Sequence, residues 1–167
     1  MSDLMEALSA EAKRIEEDTE HSFKGHYNAA ARWARYHLYI GIPSALVAAV
    51  AGAAAFKDQP ELAGSLALIS TALTTLLTFL KPSERSEIHK SVAGQYHALR
   101  SQARMFREIE LLENPEPKIA KTLLLEMARS RDELNQASPA ISRCDYEQAK
   151  SDIDDGRARY QVDGTKT

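Results

Sequence analysis

Two uncharged apolar runs lie almost back to back in the middle of the chain, and they constrain its fold more than any other feature. Residues 38–56 (LYIGIPSALVAAVAGAAAF) and 62–80 (LAGSLALISTALTTLLTFL) each hold 19 residues without one Asp, Glu, Lys or Arg. As an α-helix, each run would be about 28 Å long, against roughly 30 Å for the hydrocarbon core of a bilayer. Only Lys57-Asp58-Gln59-Pro60-Glu61 separates them. The pattern predicts a two-transmembrane helical hairpin. The alternative is a buried hairpin in a soluble bundle, which the Ala-rich first run partly suits.

Whole-chain averages conceal this unit. A hydrophobic fraction of 44% and a mean hydropathy of -0.39 are ordinary for a soluble domain. They average an apolar centre with two polar flanks. With 21 basic against 24 acidic residues, no strong positive field exists to draw in nucleic acid. The single cysteine, Cys144, rules out an intrachain disulfide framework and any multi-cysteine metal site. No secretory signal is expected from this stretch, because the first run follows a polar segment containing Arg14, Lys24, Arg32 and Arg35.

The basic residues near the runs set an orientation. Lys24, Arg32 and Arg35 precede the first run, and Lys81, Arg85, Lys90 and Arg100 follow the second, whereas the loop offers only Lys57. This excess predicts both termini in the cytoplasm. Trp33, Tyr36 and Tyr39 stand at the cytoplasmic start of the first run, at the level where amphipathic rings favour headgroups.

The flanks read as amphipathic cytoplasmic helices, so the expected fold is an all-α membrane protein with a helical bundle beside the hairpin. Residues 1–37 form the N-terminal helix, with a stripe of Leu4, Leu8, Ala12, Ile15, Thr19 and Phe23. Residues 38–80 are the hairpin, 81–160 the rest of the bundle, and 161–167 a disordered tail. Pro82 breaks the chain and Ser83 is the expected N-cap of the restart. Val92, Tyr96, Leu99, Ala103 and Phe106 follow in four-three steps, the a/d pattern of a coiled-coil seam, and are the expected oligomerisation surface. Asn114-Pro115-Glu116-Pro117 stops that helix. Ile119, Leu123, Leu124, Met127 and Leu134 mark the next, and residues 141–160 a weaker last one.

Three features of the hairpin carry mechanistic content. Ser44, Ala48 and Gly52 share one face of the first run, small enough for close helix packing. Pro43 predicts a kink, with Gly41 lowering the cost of bending. Ser70, Thr71, Thr74, Thr75 and Thr78 form a hydroxyl stripe on the second run. Such a stripe can bond back to its own helix, glue helices together, or line a wet path in an oligomer. Neither run holds an ionisable Asp, Glu, Lys, Arg or His, which argues against a proton relay. Two helices cannot enclose a channel, so a pore would require several copies.

Catalysis finds little support. His89 and His97 are more than two helical turns apart, Asp18 and His21 lack a second pair to complete a carboxylate metal site, and Cys144 has Asp145 rather than a base beside it. No metal, cofactor or Gly-rich phosphate loop is expected. Arg104, Arg107, Lys118, Lys121 and Arg129 are candidates for contact with a nucleotide, though such residues more often form a solvated helix face.

The order of these features resembles a known family. A basic-aromatic flank, a weak Ala-rich span, a short loop and a second span ending Leu-Leu-Thr-Phe-Leu-Lys-Pro are followed by Glu-Arg-Ser-Glu-Ile-His-Lys and Gln-Tyr-His-Ala-Leu. Ser138-Pro139-Ala140-Ile141 and Tyr146 continue the likeness. Over about residues 15–155 the chain is similar to the SLATT family, the SMODS- and SLOG-associating two-transmembrane effector domains. The resemblance implies a homo-oligomeric effector in the inner membrane of a bacterium, one that permeabilises it during phage infection. It also implies a separately encoded nucleotidyltransferase or other sensor, and a cyclic nucleotide as the trigger. The alternative from the residues alone is a membrane-anchored helical adaptor that conducts nothing.

Overall fold

In a computed structural model, described for residues 2–113 and 115–157, every regular element is helical. The expected tail at 161–167 lies outside the described residues. Helix α1 runs unbroken over Ser2–Phe56, so the N-terminal amphipathic stripe and the first apolar run belong to one helix that passes through Pro43. Helix α2 covers Pro60–Leu80 and α3 Pro82–Glu108, followed by a 3-10 turn at Glu110–Glu113. Helix α4 spans Pro117–Ala137 and α5 Arg143–Asp154.

Local chemistry fixes the breaks. After α1, Asp58 takes a left-handed φ of 54°. Its N–H bonds Ala55 O at 3.3 Å while Gln59 N–H reaches back to Ala54 O at 3.1 Å. This is a Schellman ending, and Pro60 then opens α2 at a position where its missing N–H costs nothing. Lys81, with φ 46°, ends α2 in the simpler left-handed way, its N–H on Leu77 O at 2.9 Å, and Pro82 follows. Helix α3 therefore begins at Pro82, and Ser83, the expected N-cap, lies inside its first turn. The last helix does carry a hydroxyl cap, at Ser142, whose Oγ accepts from Asp145 N–H at 3.2 Å and donates to its carboxylate at 2.6 Å.

The chain divides into two compact units. Ala30–Ile88 forms one, and the chain on either side of it forms the other. The boundary falls several residues outside the uncharged runs, so the basic-aromatic flank belongs to the apolar unit.

The outer unit has a conventional core. Leu8, Ala12 and Ile15 of α1 meet Leu99, Ala103 and Phe106 of α3 and Ala120, Leu124 and Met127 of α4. The Val92–Phe106 seam, expected to join copies, is spent here. Tyr96, Leu99, Ala103 and Phe106 are at most 3% exposed and Val92 is half-buried, because α1 and α4 of the same chain cover the face. Ion pairs give the register. Arg100 meets Glu20 at 3.2 Å and Arg107 meets Glu16 at 3.1 Å, so α1 and α3 run antiparallel in this unit. Gly25 permits a close approach of the segment before α5, since a Cβ there would sit 2.7 Å from Ile141 Cδ1. Asn28 then donates to Asp145 O at 3.1 Å.

The Ala30–Ile88 unit is packed differently. Ser44, Ala51 and Ala54 of α1 are buried, as is Ser70 of α2, while Leu46, Leu68, Ile69 and Phe79 are exposed. Two helices are long and apolar enough to cross a membrane, and only 17% and 6% of their most apolar windows are buried. A core helix of a soluble domain buries most of such a window. Here the large side chains face outward.

Candidate functional site

The hydroxyl stripe of α2 divides in two. Ser70 is buried against α1, where its Oγ donates to Ser44 O at 3.0 Å, and Thr74, though itself exposed, places Oγ1 2.9 Å from Ser44 Oγ. These bonds sit in an apolar setting, where each polar group needs a partner. Thr71, Thr75 and Thr78 are exposed, and each donates to the carbonyl four residues back, at 2.8, 2.7 and 3.0 Å. With Ser70, Thr74 and Phe79 they line an open groove of about 300 Å³. Its surface offers lone pairs along an apolar helix.

The small-residue face divides as well. Ser44 is buried against α2, but Ala48 and Gly52 are exposed, and a Cβ added at Gly52 would meet nothing within 4 Å. Within the chain, α1 instead packs through Ser44, Ala51 and Ala54, with Val47 half-buried on the same side. Ala48 and Gly52 line a second groove of about 550 Å³ together with Ala63, Gly64 and Ala67 of α2.

A buried polar pair, not singled out in the sequence, lies in the outer unit. His26 Nδ1 and His89 Nδ1 are 2.9 Å apart, with the rings 4% and 5% exposed. One Nδ1 must donate and the other accept, so the two rings hold opposite protonation at that atom. A further proton would set N–H against N–H. Burial, and secondarily the neighbouring His89, therefore lowers the His26 pKa from 6.5 to about 4. The His26 ring stacks on Tyr96 at 5.6 Å, and the Tyr96 hydroxyl donates to Asn135 Oδ1 at 2.8 Å. No sequence signal joined residues 63 apart; their meeting follows from the antiparallel register of α1 and α3.

Of the five candidate nucleotide-contact residues, Arg129 is exposed. Arg107 is engaged with Glu16 and Glu108, Arg104 is half-buried, and Lys118 and Lys121 are exposed. None of them lines the groove of about 350 Å³ between α3 and α4, which instead presents Glu110 and Glu126 over Met105, Phe106, Leu123 and Met127. Two carboxylates would repel a nucleotide phosphate there. His97 is exposed and sets its ring edge-on to Phe23 at 5.1 Å. Asp18 lies 3.5 Å from Arg131, and His21 stacks on Tyr146 at 6.2 Å. Cys144 is exposed. Among the described residues no three His, Cys, Asp or Glu side chains are grouped to hold a metal ion. Comparisons with family models, with curated proteins and with solved structures find no match to this chain.

Proposed function

We propose that the chain is a SLATT-like membrane effector, a homo-oligomer whose α1–α2 hairpin spans the bacterial inner membrane and forms a gated pore. The observation that carries the membrane part is the outward display of large apolar side chains, with 6% and 17% of the apolar windows buried. The exposed Thr71, Thr75 and Thr78 face supports the pore, because several copies turned inward would line a path with oxygen atoms. Both termini lie in the cytoplasm in this reading, and a cyclic nucleotide or a partner sensor opens the closed state by binding the open one better. Membrane breach would then halt an infected cell. With the Val92–Phe106 seam filled by α1 and α4, contacts between copies fall to the exposed hairpin faces, including the groove at Ala48 and Gly52.

A second reading is the membrane-anchored adaptor. The observation favouring it is that Thr71, Thr75 and Thr78 already satisfy their donors on their own helix, so the stripe needs no water. Ion flux through liposomes holding the full chain, with and without cyclic di- and trinucleotides, separates the two. In the pore reading, flux appears with the trigger and is abolished by Thr71→Leu with Thr75→Leu at unchanged insertion. Retained flux in that variant would sink the stripe-lined pore. Full function after exchanging both spans for an unrelated hairpin would establish the adaptor.

A further inference from the structure

The groove between α3 and α4 has an apolar floor and an acidic rim. Tyr96 bonds Asn135, and Phe106 lines the groove with Met127, so the two helices run antiparallel along it. Phe106 turns into the core, but Met105, one residue earlier, is 50% exposed. Leu123 and Met127 of α4 complete the floor. Ile109 and Leu112, on either side of Glu110 along the chain, are exposed as well.

The rim holds charge that nothing neutralises. Glu110, from the turn after α3, and Glu126, from α4, are both exposed. Among the described residues neither has an ion-pair partner, whereas Glu16, Glu20 and Glu108 are each held by an arginine. Residues 108–116 also include Glu108, Glu113 and Glu116, and no Lys or Arg. On α3, Arg104 and Arg107 already have partners. On α4, Lys118, Lys121 and Arg129 stay outside the lining of the groove.

These features select the occupant. Covering the groove strands two carboxylates unless the covering surface brings cations, and a charge left unpaired on burial is costly. An anionic lipid surface would add negative charge. A second copy seated groove on groove would set the same carboxylates against each other, because a two-fold contact repeats one patch. A helix fits the shape, since its side chains enter the furrow between two antiparallel helices. The thioethers of Met105 and Met127 adapt to varied apolar side chains.

We propose that this groove binds a basic amphipathic helix of a partner protein, its apolar face on Met105, Phe106 and Met127 and its Lys or Arg side chains on Glu110 and Glu126. Every one of these residues belongs to the outer unit, so the site stands whether or not the hairpin spans a membrane.

Met105 and Met127 are two of the chain's four methionines and report on the site themselves. The full chain is isotope-labelled at its methionine methyl groups and read by NMR, in phosphatidylcholine nanodiscs or, where it stays outside them, in buffer. The probe is an amphipathic helical peptide of leucine and lysine. Its counterpart carries glutamate in place of lysine, and empty discs are titrated alongside to subtract peptide lost to lipid. The expected result is a saturable shift of the Met105 and Met127 resonances with the lysine peptide and none with the glutamate peptide. The Kd should rise about fivefold in Glu110→Gln and in Glu126→Gln, one charged contact each. Leu123→Lys should abolish the shift while keeping both reporters. Unmoved methyl groups at the highest soluble concentration of lysine peptide overturn the site. Equal shifts with both peptides overturn it too, as apolar adhesion alone. So does an equal loss in Glu87→Gln, an exposed acid of α3 in the other unit, which would mean net charge only. Shifts that appear as the chain is concentrated without peptide would put a second copy in the groove instead of a basic partner.

Discussion

Phe106 and Phe79 carry the same ring, yet Phe106 is 1% exposed and Phe79 81% exposed. Around Phe106 the outer unit sorts residues as a water-soluble domain does, with Ile15, Leu99 and Met127 inside and ion pairs such as Lys13–Glu17 outside. Around Phe79 the sorting is inverted. Serine and alanine lie between the helices, and leucine and phenylalanine face out. In water the large apolar groups must be buried, because that burial is the main driving force. In lipid that force between helices disappears, and close packing and hydrogen bonds between small residues take over. In the membrane reading proposed above, one sequence is built for two solvents.

The sharpest way to break this contrast is to truncate both rings. Phe106→Ala should cost about 3–5 kcal/mol and unfold the outer unit, whereas Phe79→Ala should cost little. Urea titration of the detergent-solubilised chain, followed by circular dichroism, measures both. Equal losses would mean that the two environments are alike.

Protonation gives the next largest effect. His26 is held near a pKa of about 4 when folded, against about 6.5 when unfolded. Between these values the unfolded chain binds the extra proton, so stability rises with pH there and is lost as pH falls from about 6.5 to 4. The loss should be on the order of 3 kcal/mol. Thermal melts from about pH 7 to 4 should show it, and His26→Phe should flatten the profile. A profile that stays as steep in the variant would assign the effect to other groups.

Two glycines sharpen the comparison further. Gly25→Ala places a methyl against Ile141 and should cost about 1–3 kcal/mol, part of it restored by Ile141→Val. Gly52→Ala meets open space and should stabilise an isolated α1 by roughly 0.5–1 kcal/mol. Hydrogen exchange of the two helix segments reads each change. A loss at Gly52 that appears only at high protein concentration would place a second copy in that groove.

The smallest effect concerns the inner hydroxyls. Removing the Ser44–Thr74 bond through a double-mutant cycle of Ser44→Ala and Thr74→Val should reveal a coupling of about 1 kcal/mol. Thr75→Val, which removes only a bond to its own helix, should show no coupling to Ser44.

Much of this was legible along the chain. Helical type, the two apolar helices and the N-terminal stripe all follow from periodicity, which is a local property. Leu8, Ala12, Ile15 and Thr19 are buried as their spacing predicts. The hydroxyl stripe was legible as a set, but its division into an inner and an outer half was not. That depends on which side of α2 meets α1, and a spacing of three and four is compatible with either side. The same holds for Ala48 and Gly52, which share a face with Ser44 but stay outside the contact.

The sequence by itself determined where helices form and which stretches avoid charge, because hydrogen bonding to near neighbours and side-chain polarity act over a few residues. Only the tertiary structure decided what each helix face meets. An a/d seam from Val92 to Phe106 fits a second copy or the same chain equally well, and α1 and α4 are simply nearer. His26 against His89, Gly25 against Ile141, and Arg32 with Arg85 on Trp33 likewise join residues 63, 116 and 53 positions apart. Such pairs arise from how helices, and the segment between α4 and α5, pack against one another, which no local pattern encodes.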